Sequence, residues 1–162
     1  MSISSRSSLA YVVLALLLIY SFYIIYSTSV VALKVCMVTR LFKVEVRGAK
    51  ILVKGNSTFL QINYKFYNPL DVELRVKSIQ STIYSGGTYV WTSTETYLEP
   101  LVVVSGSTFK TVVFEVPRSR LMLLSGDVSI STFILIEVMQ PKTYSILLAF
   151  YFTNVSIIRY SY

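Results

Sequence analysis

LQINYKFYNPLDVELRV, residues 60–76, places an Asn-Pro corner between two stretches of alternating polarity. In the first stretch four apolar residues recur at every second position: Leu60, Ile62, Tyr64 and Phe66. In the second, the same spacing relates Val72, Leu74 and Val76. A period of two is typical of strands with one buried face. Because Pro69 lacks an N–H and restricts Asn68 to extended backbone, pairing must stop at this corner and the chain must turn.

The same alternation extends along most of the chain after residue 42. Strands are expected near 42–54, 58–67, 71–85, 88–97, 107–116, 127–139 and 143–158. One short helix is expected over 118–125, with Leu121, Met122 and Leu124 toward the core and Gly126 as its stop. Seven strands with regular turns predict an all-β domain, a sandwich of immunoglobulin or fibronectin-III type.

Two local details of this domain follow from the pattern. The buried set shifts parity between Val76 and Ile79, which predicts a β-bulge near Lys77 and Ser78. Gly86 and Gly87 stand between two β-rich segments, and paired glycines accept the positive φ of tight hairpin turns. A hairpin is therefore expected there.

An uncharged segment from residue 7 to residue 33 precedes the β domain, and residues 9–26 are almost wholly apolar or aromatic. About 20 helical residues span a bilayer core, so we predict a single transmembrane helix over residues 9–33. The remaining boundaries are an amino-terminal tail (1–8), a basic juxtamembrane connector (34–41) and the β-sandwich domain (42–162). A cleaved signal peptide is the alternative, although its apolar core would be shorter, about 7–15 residues.

Aromatic residues occur in the second half of this apolar segment, and basic residues follow it. Tyr20, Tyr23 and Tyr26 recur at every third residue, which suits a membrane–water boundary or a stripe that docks on a partner helix. Three basic residues follow the apolar run and are candidates for contact with anionic lipid headgroups: Lys34, Arg40 and Lys43.

The orientation in the membrane is indicated by two opposing signals. The basic residues after the span favour a cytoplasmic domain, but long segments are translocated largely regardless of their charge. Asn56 and Asn154 both begin Asn-x-Ser/Thr triplets and are candidate glycosylation sites. These sites, together with a surface rich in Ser, Thr and Tyr, favour an extracytoplasmic domain, with the cytoplasmic orientation as the alternative.

The composition removes several kinds of chemistry. The chain has no histidine and one cysteine, Cys36, so imidazole catalysis and the usual zinc and copper sites are excluded. Cys36 cannot form an intrachain disulfide and is interpreted as a small apolar residue, with acylation or an intermolecular disulfide as alternatives. The net charge of +7 resides in residues 1–77, so a basic nucleic-acid surface on the domain is not expected. We expect no enzyme activity, cofactor or metal.

The Asn68-Pro69 corner, the following alternating strand, the glycine hairpin, the strand ending at Pro117, the short helix and the two last strands resemble the group 2 late-embryogenesis-abundant domain. This is the water-stress and hypersensitive-response type of β-sandwich of plants and archaea. The resemblance covers roughly residues 42–158. It implies a non-enzymatic, stress-associated or surface interaction module, with no catalytic residues to carry over. The amino-terminal anchor followed by such a domain is also similar in layout to the membrane-bound plant members, whose domain faces outside. The density of tyrosine and the long basic first strand depart from the family pattern.

Two functions remain open from the sequence. The first is a non-catalytic, membrane-anchored, stress-type binding or interaction module. The second is a structural subunit of a cell-surface assembly, either a pilin-like filament or an accessory subunit of a membrane protein complex. The expected partners are membrane lipids and a protein bound through the transmembrane helix or exposed strand edges.

Overall fold

A computed structural model describes residues 3–124, 126–139 and 143–161. These residues form one long helix, α1 (Ile3–Leu41), seven strands and a 3-10 helix (Arg118–Leu123). The strands are β1 (Lys43–Lys54), β2 (Ser57–Asn68), β3 (Leu74–Ser85), β4 (Thr88–Val103), β5 (Gly106–Glu115), β6 (Asp127–Val138) and β7 (Tyr144–Ser161). The chain divides into two compact units, residues 1–37 and residues 38–162.

The strands lie close to where the alternation predicted them: β3 begins three residues later, at Leu74, β7 ends three residues later, at Ser161, and the largest difference is in β4. This strand continues to Val103 instead of ending near residue 97, although it contains Pro100. Proline cannot donate to a ladder and is tolerated in edge strands, and β4 is an outermost strand of the sheet. Between Thr96 and Leu101 the extra residues bulge out opposite Lys77, which confirms the irregularity predicted there. The hairpin is also present, with φ of 55° at Gly86 and 80° at Gly87.

The strand order is β4-β3-β6-β7-β1-β2-β5, so the strands form a mixed sheet that is nearly closed into a barrel. Neighbouring strands are antiparallel except for β1 and β7, which are parallel. Along β7, Tyr144–Ser156 pair with β6, whereas Ile157–Ser161 pair with β1. The domain is mostly β as predicted. The immunoglobulin or fibronectin-III type is not confirmed, because the two halves are joined through β7 into one sheet.

The core of the second unit is built from the alternating residues of all strands. The predicted inner set of the Asn-Pro segment is fully buried except for Val72, which is partly exposed: Leu60, Ile62, Tyr64, Phe66, Leu74 and Val76. At the end of α1, Val38 and Phe42 also belong to this core, and the Phe42 ring stacks on Phe66 at 6.1 Å. In the 3-10 helix region Leu124 is buried but Met122 is exposed, contrary to its predicted role, while the side chain of Leu121 lies outside the described set.

A buried polar cluster crosses the interior of this unit. The Tyr64 hydroxyl on β2 lies 2.8 Å from Ser81 Oγ on β3 and 3.0 Å from Thr132 Oγ1 on β6. All three residues are almost completely buried. Because a buried hydroxyl without a partner is costly, the three groups stabilise one another and fix the positions of three strands.

The Asn68 side chain holds the corner between β2 and β3. Its Nδ2 donates to the Val72 carbonyl at 2.8 Å and to the Val103 carbonyl at 3.3 Å, and its Oδ1 accepts from Leu70 N at 3.1 Å. Asn68 is 0% exposed, whereas Pro69 is on the surface. The amide therefore closes the turn locally and also ties it to the end of β4.

The first unit holds the part of α1 that ends at residue 37, and the last turn of this helix belongs to the second unit. By length and composition, Tyr11–Leu41 is long and apolar enough to cross a membrane, and none of its most apolar window is buried. The same properties would suit a signal sequence. No acidic residue lies in the first turn, and Arg40 lies in the last turn, where a cation favours the helix dipole.

We expect Asn68→Ala to lower the free energy of unfolding by about 1–3 kcal/mol, because it leaves the partly buried Leu70 N–H and the buried Val103 carbonyl without their partner. Urea unfolding of the full chain in detergent measures the change. Asn63→Ala is the matched control, since Asn63 makes one exposed bond, accepting from Thr111 Oγ1, and should cost under about 1 kcal/mol. Equal effects of the two substitutions would contradict the role of the corner.

Burial raises the pKa of the Tyr64 hydroxyl, and its bonds to Ser81 and Thr132 offset the rise only in part. The contribution of Tyr64 to stability is then complete below its unfolded pKa of about 10 and is lost as the pH rises toward the folded value. We expect Tyr64→Phe to destabilise the protein near neutral pH by about 1–3 kcal/mol. This deficit should be smaller near pH 11, above the unfolded pKa of about 10.

Unfolding curves at the two pH values test this expectation. Tyr151→Phe is the control, because Tyr151 is 65% exposed and its replacement should change the free energy of unfolding by less than about 0.5 kcal/mol. A deficit for Tyr64→Phe that stays constant across this range would refute the argument.

Candidate functional site

The residues predicted from the sequence are distributed over both units. Tyr20, Tyr23 and Tyr26 are all exposed along α1. The nearby Ser21 and Ser27 hydroxyls donate to carbonyls of α1 itself, those of Leu17 at 2.8 Å and Ile24 at 3.0 Å. The serine protons are thus used within the helix, and the tyrosines supply the polar groups that this stripe can offer.

The basic candidates lie around the end of α1. Lys34 is partly buried, whereas Arg40 and Lys43 are exposed. Cys36, in the same stretch, is exposed as well. Lys43 opens β1, so the positive charge continues from the helix into the first strand.

Both candidate glycosylation sites are at the surface. Asn56 is exposed in the two-residue turn between β1 and β2. Asn154 is exposed in a bulge of β7, and its φ of 54° is in the left-handed region that asparagine tolerates. In the first triplet, however, the Thr58 side chain is only 2% exposed.

A cleft of about 680 Å³ opens where β1 and β7 separate. The parallel pairing begins only at Ala49 and Ile157, so the preceding parts of the two strands are apart. Arg47 on one side of the cleft forms an ion pair with Glu45 at 2.8 Å, and Asn154 lies on the other side. The cleft is the structural result of β7 leaving β6 for β1.

A second pocket, of about 340 Å³, lies at the end of the sheet that holds the β1–β2 turn. The Thr58 carbonyl accepts from Val116 N at 2.8 Å and so brings the start of β2 to the end of β5. The pocket is lined by Asn56, Ser57, Thr58, Trp91, Glu115, Val116, Pro117 and Arg118. We call it the Trp91 pocket.

Two residues of the Trp91 pocket hold unpaired polar atoms. Thr58 Oγ1 and Trp91 Nε1 are buried and have no hydrogen-bond partner within the part of the chain that the structure describes. Leaving such a group unpaired costs about 1–3 kcal/mol, and these groups are usually satisfied by water or a ligand. Glu115 and Arg118 add one negative and one positive charge at the rim.

The gap between the outermost strands β4 and β5 is bridged by Lys110. Its ammonium group lies 3.7 Å from the Glu95 carboxylate and 4.6 Å from the centre of the Tyr97 ring, both on β4. Burial, and then the negative charge of Glu95, raise the pKa of the Tyr97 hydroxyl. Tyr97 therefore stays neutral beside the ion pair.

Within residues 3–124, 126–139 and 143–161, no three His, Cys, Asp or Glu side chains come together in a way that could hold a metal. The sequence pattern predicts the corner and the surface asparagines, but it does not predict the Trp91 pocket. Its residues come from three distant segments of the chain, and the one available signal is that Trp91 is the single tryptophan of the chain.

No protein-family model and no curated protein matches the chain. Among solved structures, similarity extends to the ApaA protein of Bordetella pertussis, with 10% identity over 71% of this chain and 93% of that one and a TM-score of 0.48. AT1g01470 of Arabidopsis thaliana is 14% identical over 70% of this chain and 81% of that one, with a TM-score of 0.48. A late-embryogenesis-abundant protein, At2g46140.1, is 15% identical over 85% of this chain and 87% of that one, with a TM-score of 0.42. The likeness to this fold is coarse at these values and says nothing about activity or ligand.

Proposed function

We propose that the chain is a non-catalytic, membrane-anchored β module that binds a ligand or partner outside the cytoplasm, a membrane-anchored, archaeal-like form of the late-embryogenesis-abundant type. The observation that carries the proposal is the apolar run of α1. Its most apolar window is entirely unburied in the folded chain, and exposed apolar surface costs about 25 cal/mol per Å² in water. Lipid is the environment that removes this cost.

The chemistry of the remaining chain agrees with a binding role. The protein has no histidine, and its one cysteine, Cys36, lies in α1, so the β unit contains neither residue type. Arg40 and Lys43 are exposed just after the span, where each would gain about 1 kcal/mol from anionic headgroups, as would Lys34. Asn56 and Asn154 are exposed, as glycosylation sites of an exterior domain would be.

We expect a domain outside the cytoplasm to react with reagents that cannot cross the membrane. In a Cys36→Ser background, Thr88→Cys places a thiol on an exposed residue of the β3–β4 hairpin. A membrane-impermeant maleimide should label it in intact cells. The matched control, Ser4→Cys, lies before the apolar run and should react only after lysis. The opposite pattern would refute the exterior location. Labelled protein that is soluble and lacks residues 1–33 would indicate that this segment is a cleaved signal.

A subunit of a membrane assembly is the second candidate, and an apolar patch on the outer face of β6 and β7 favours it. Leu147 and Tyr151 are 64% and 65% exposed, and Leu135 pairs directly with Leu147. Phe133, on the same face of β6, is 37% exposed. Contiguous apolar surface of this kind marks protein interaction sites.

If the chain is a subunit of a membrane assembly, native mass spectrometry after gentle detergent extraction should show a stoichiometric complex. Replacing both Tyr20 and Tyr23 by leucine should release the chain, because interhelical hydrogen bonds are lost. Tyr11→Leu is the control, since residues 11 and 20 lie on opposite sides of the helix at about 100° per residue. Recovery of the wild-type chain as a monomer would exclude this candidate.

A further inference from the structure

We propose that the Trp91 pocket binds a single neutral sugar ring. The inference rests on the proposed function only in treating the β unit as a binding module, and it does not depend on the orientation in the membrane. It names the ligand class of a site that is built from β2, β4, the end of β5 and the 3-10 helix.

The size of the pocket sets the first limit. Its volume of about 340 Å³ is near the lower end of the range for small-molecule sites, about 300–1,000 Å³. One sugar ring fits such a volume, whereas a folded partner or an extended peptide does not. The occupant is therefore a small molecule or the terminal unit of a larger one.

The polar groups set the second limit. The Trp91 indole N–H can only donate, the Glu115 carboxylate can only accept, and the Thr58 hydroxyl can do both. The Arg118 guanidinium adds further donors. A ligand that serves all of them needs several groups that both donate and accept, which is the property of neighbouring hydroxyls. Thr58 lines the pocket, and its Oγ1 is buried without a hydrogen-bond partner among the described residues.

Charge and apolar surface complete the match. Glu115 and Arg118 carry opposite charges, so the rim has no net charge that would select an anion or a cation. Trp91, Val116 and Pro117 supply apolar wall beside the polar groups. A sugar ring combines hydroxyl edges with C–H faces and can satisfy both kinds of wall.

The pocket lies at the end of β1 that is farther from α1. Asn56 follows the carboxyl end of β1, whereas Lys43, which comes directly after α1, is at the other end. Eleven residues of strand at about 3.3 Å each separate these ends by roughly 35 Å. The pocket is thus remote from the point where the chain leaves the helix.

Trp91 provides a direct measurement, because it is the only tryptophan in the chain. The full chain, in a detergent without sugar headgroups, is titrated with glucose, mannose and galactose while tryptophan emission is recorded. We expect a saturable change for at least one of them, with a Kd in about the millimolar range for a ligand of this size. No saturable change with any of the three would overturn the proposal.

Matched variants tie the signal to the pocket. Thr58→Val keeps the volume but removes the hydroxyl, and it should weaken binding about tenfold. Thr111→Val, on exposed β5 surface, should leave the Kd unchanged. Arg118→Gln alters an exposed side chain, so we expect it to leave folding unchanged and to weaken binding as well. Equal affinities in all three variants would place the signal elsewhere and refute the site.

The charge of the ligand is tested with salt and with an anion. Binding of a neutral sugar should be unchanged between about 0.01 and 1 M salt, over which the Debye length falls from about 30 to about 3 Å. Inorganic phosphate is the competing probe. If phosphate binds more tightly than every sugar and its affinity falls steeply with salt, the pocket is an anion site and the proposal is wrong.

The sugar can be free or attached to Asn56, which lines the same pocket. Chain made in a host that adds N-glycans separates the two sources. If the attached glycan fills the pocket, the Trp91 emission resembles that of the saturated state, and Asn56→Gln restores the titration. If free sugar is the ligand, glycosylated and unglycosylated chains titrate alike.

Discussion

The β unit depends on one strand, β7, pairing with two different neighbours in succession. Its first residues bond to β6, and its last ones bond in parallel to β1. The change of partner requires a bend, which the bulge around Thr153 and Asn154 provides, because a bulge turns a strand and leaves residues unpaired. This change of partner joins the two halves of the sheet, and it leaves a cleft where β1 and β7 separate.

Two buried polar side chains then fix how the halves face each other. Tyr64 connects β2 to β3 and β6 across the interior, and Asn68 connects the end of β2 to β4. Apolar alternation alone would tolerate small slips between layers, since burial is non-directional. Hydrogen bonds inside a low-dielectric core are directional and costly to leave unmade, so they select one arrangement. At the open seam Lys110 performs a similar role with an ion pair to Glu95.

Much of this architecture follows from local sequence pattern. The alternation around Tyr64, the parity change near Lys77 and the Gly86-Gly87 turn are properties of adjacent residues, and each predicted its element correctly. The connection of β1 to β7 joins residues about a hundred positions apart, and no local signal encodes it. The same reason hides the Trp91 pocket, because Thr58, Trp91 and Arg118 meet only after folding. The exposure of Met122 reflects a 3-10 helix, whose period of three residues differs from the α-helical spacing assumed for it.

The placement of β1 has a mechanical consequence. This strand follows α1 directly and is bonded along its length to β2 and over Ala49–Val53 to β7. When a load pulls Lys43 away from the opposite end of the sheet, the force acts parallel to β1. Hydrogen bonds perpendicular to that force share it and must rupture together instead of opening one by one. A load applied at Lys43 is therefore carried by hydrogen bonds from β1 to two neighbouring strands.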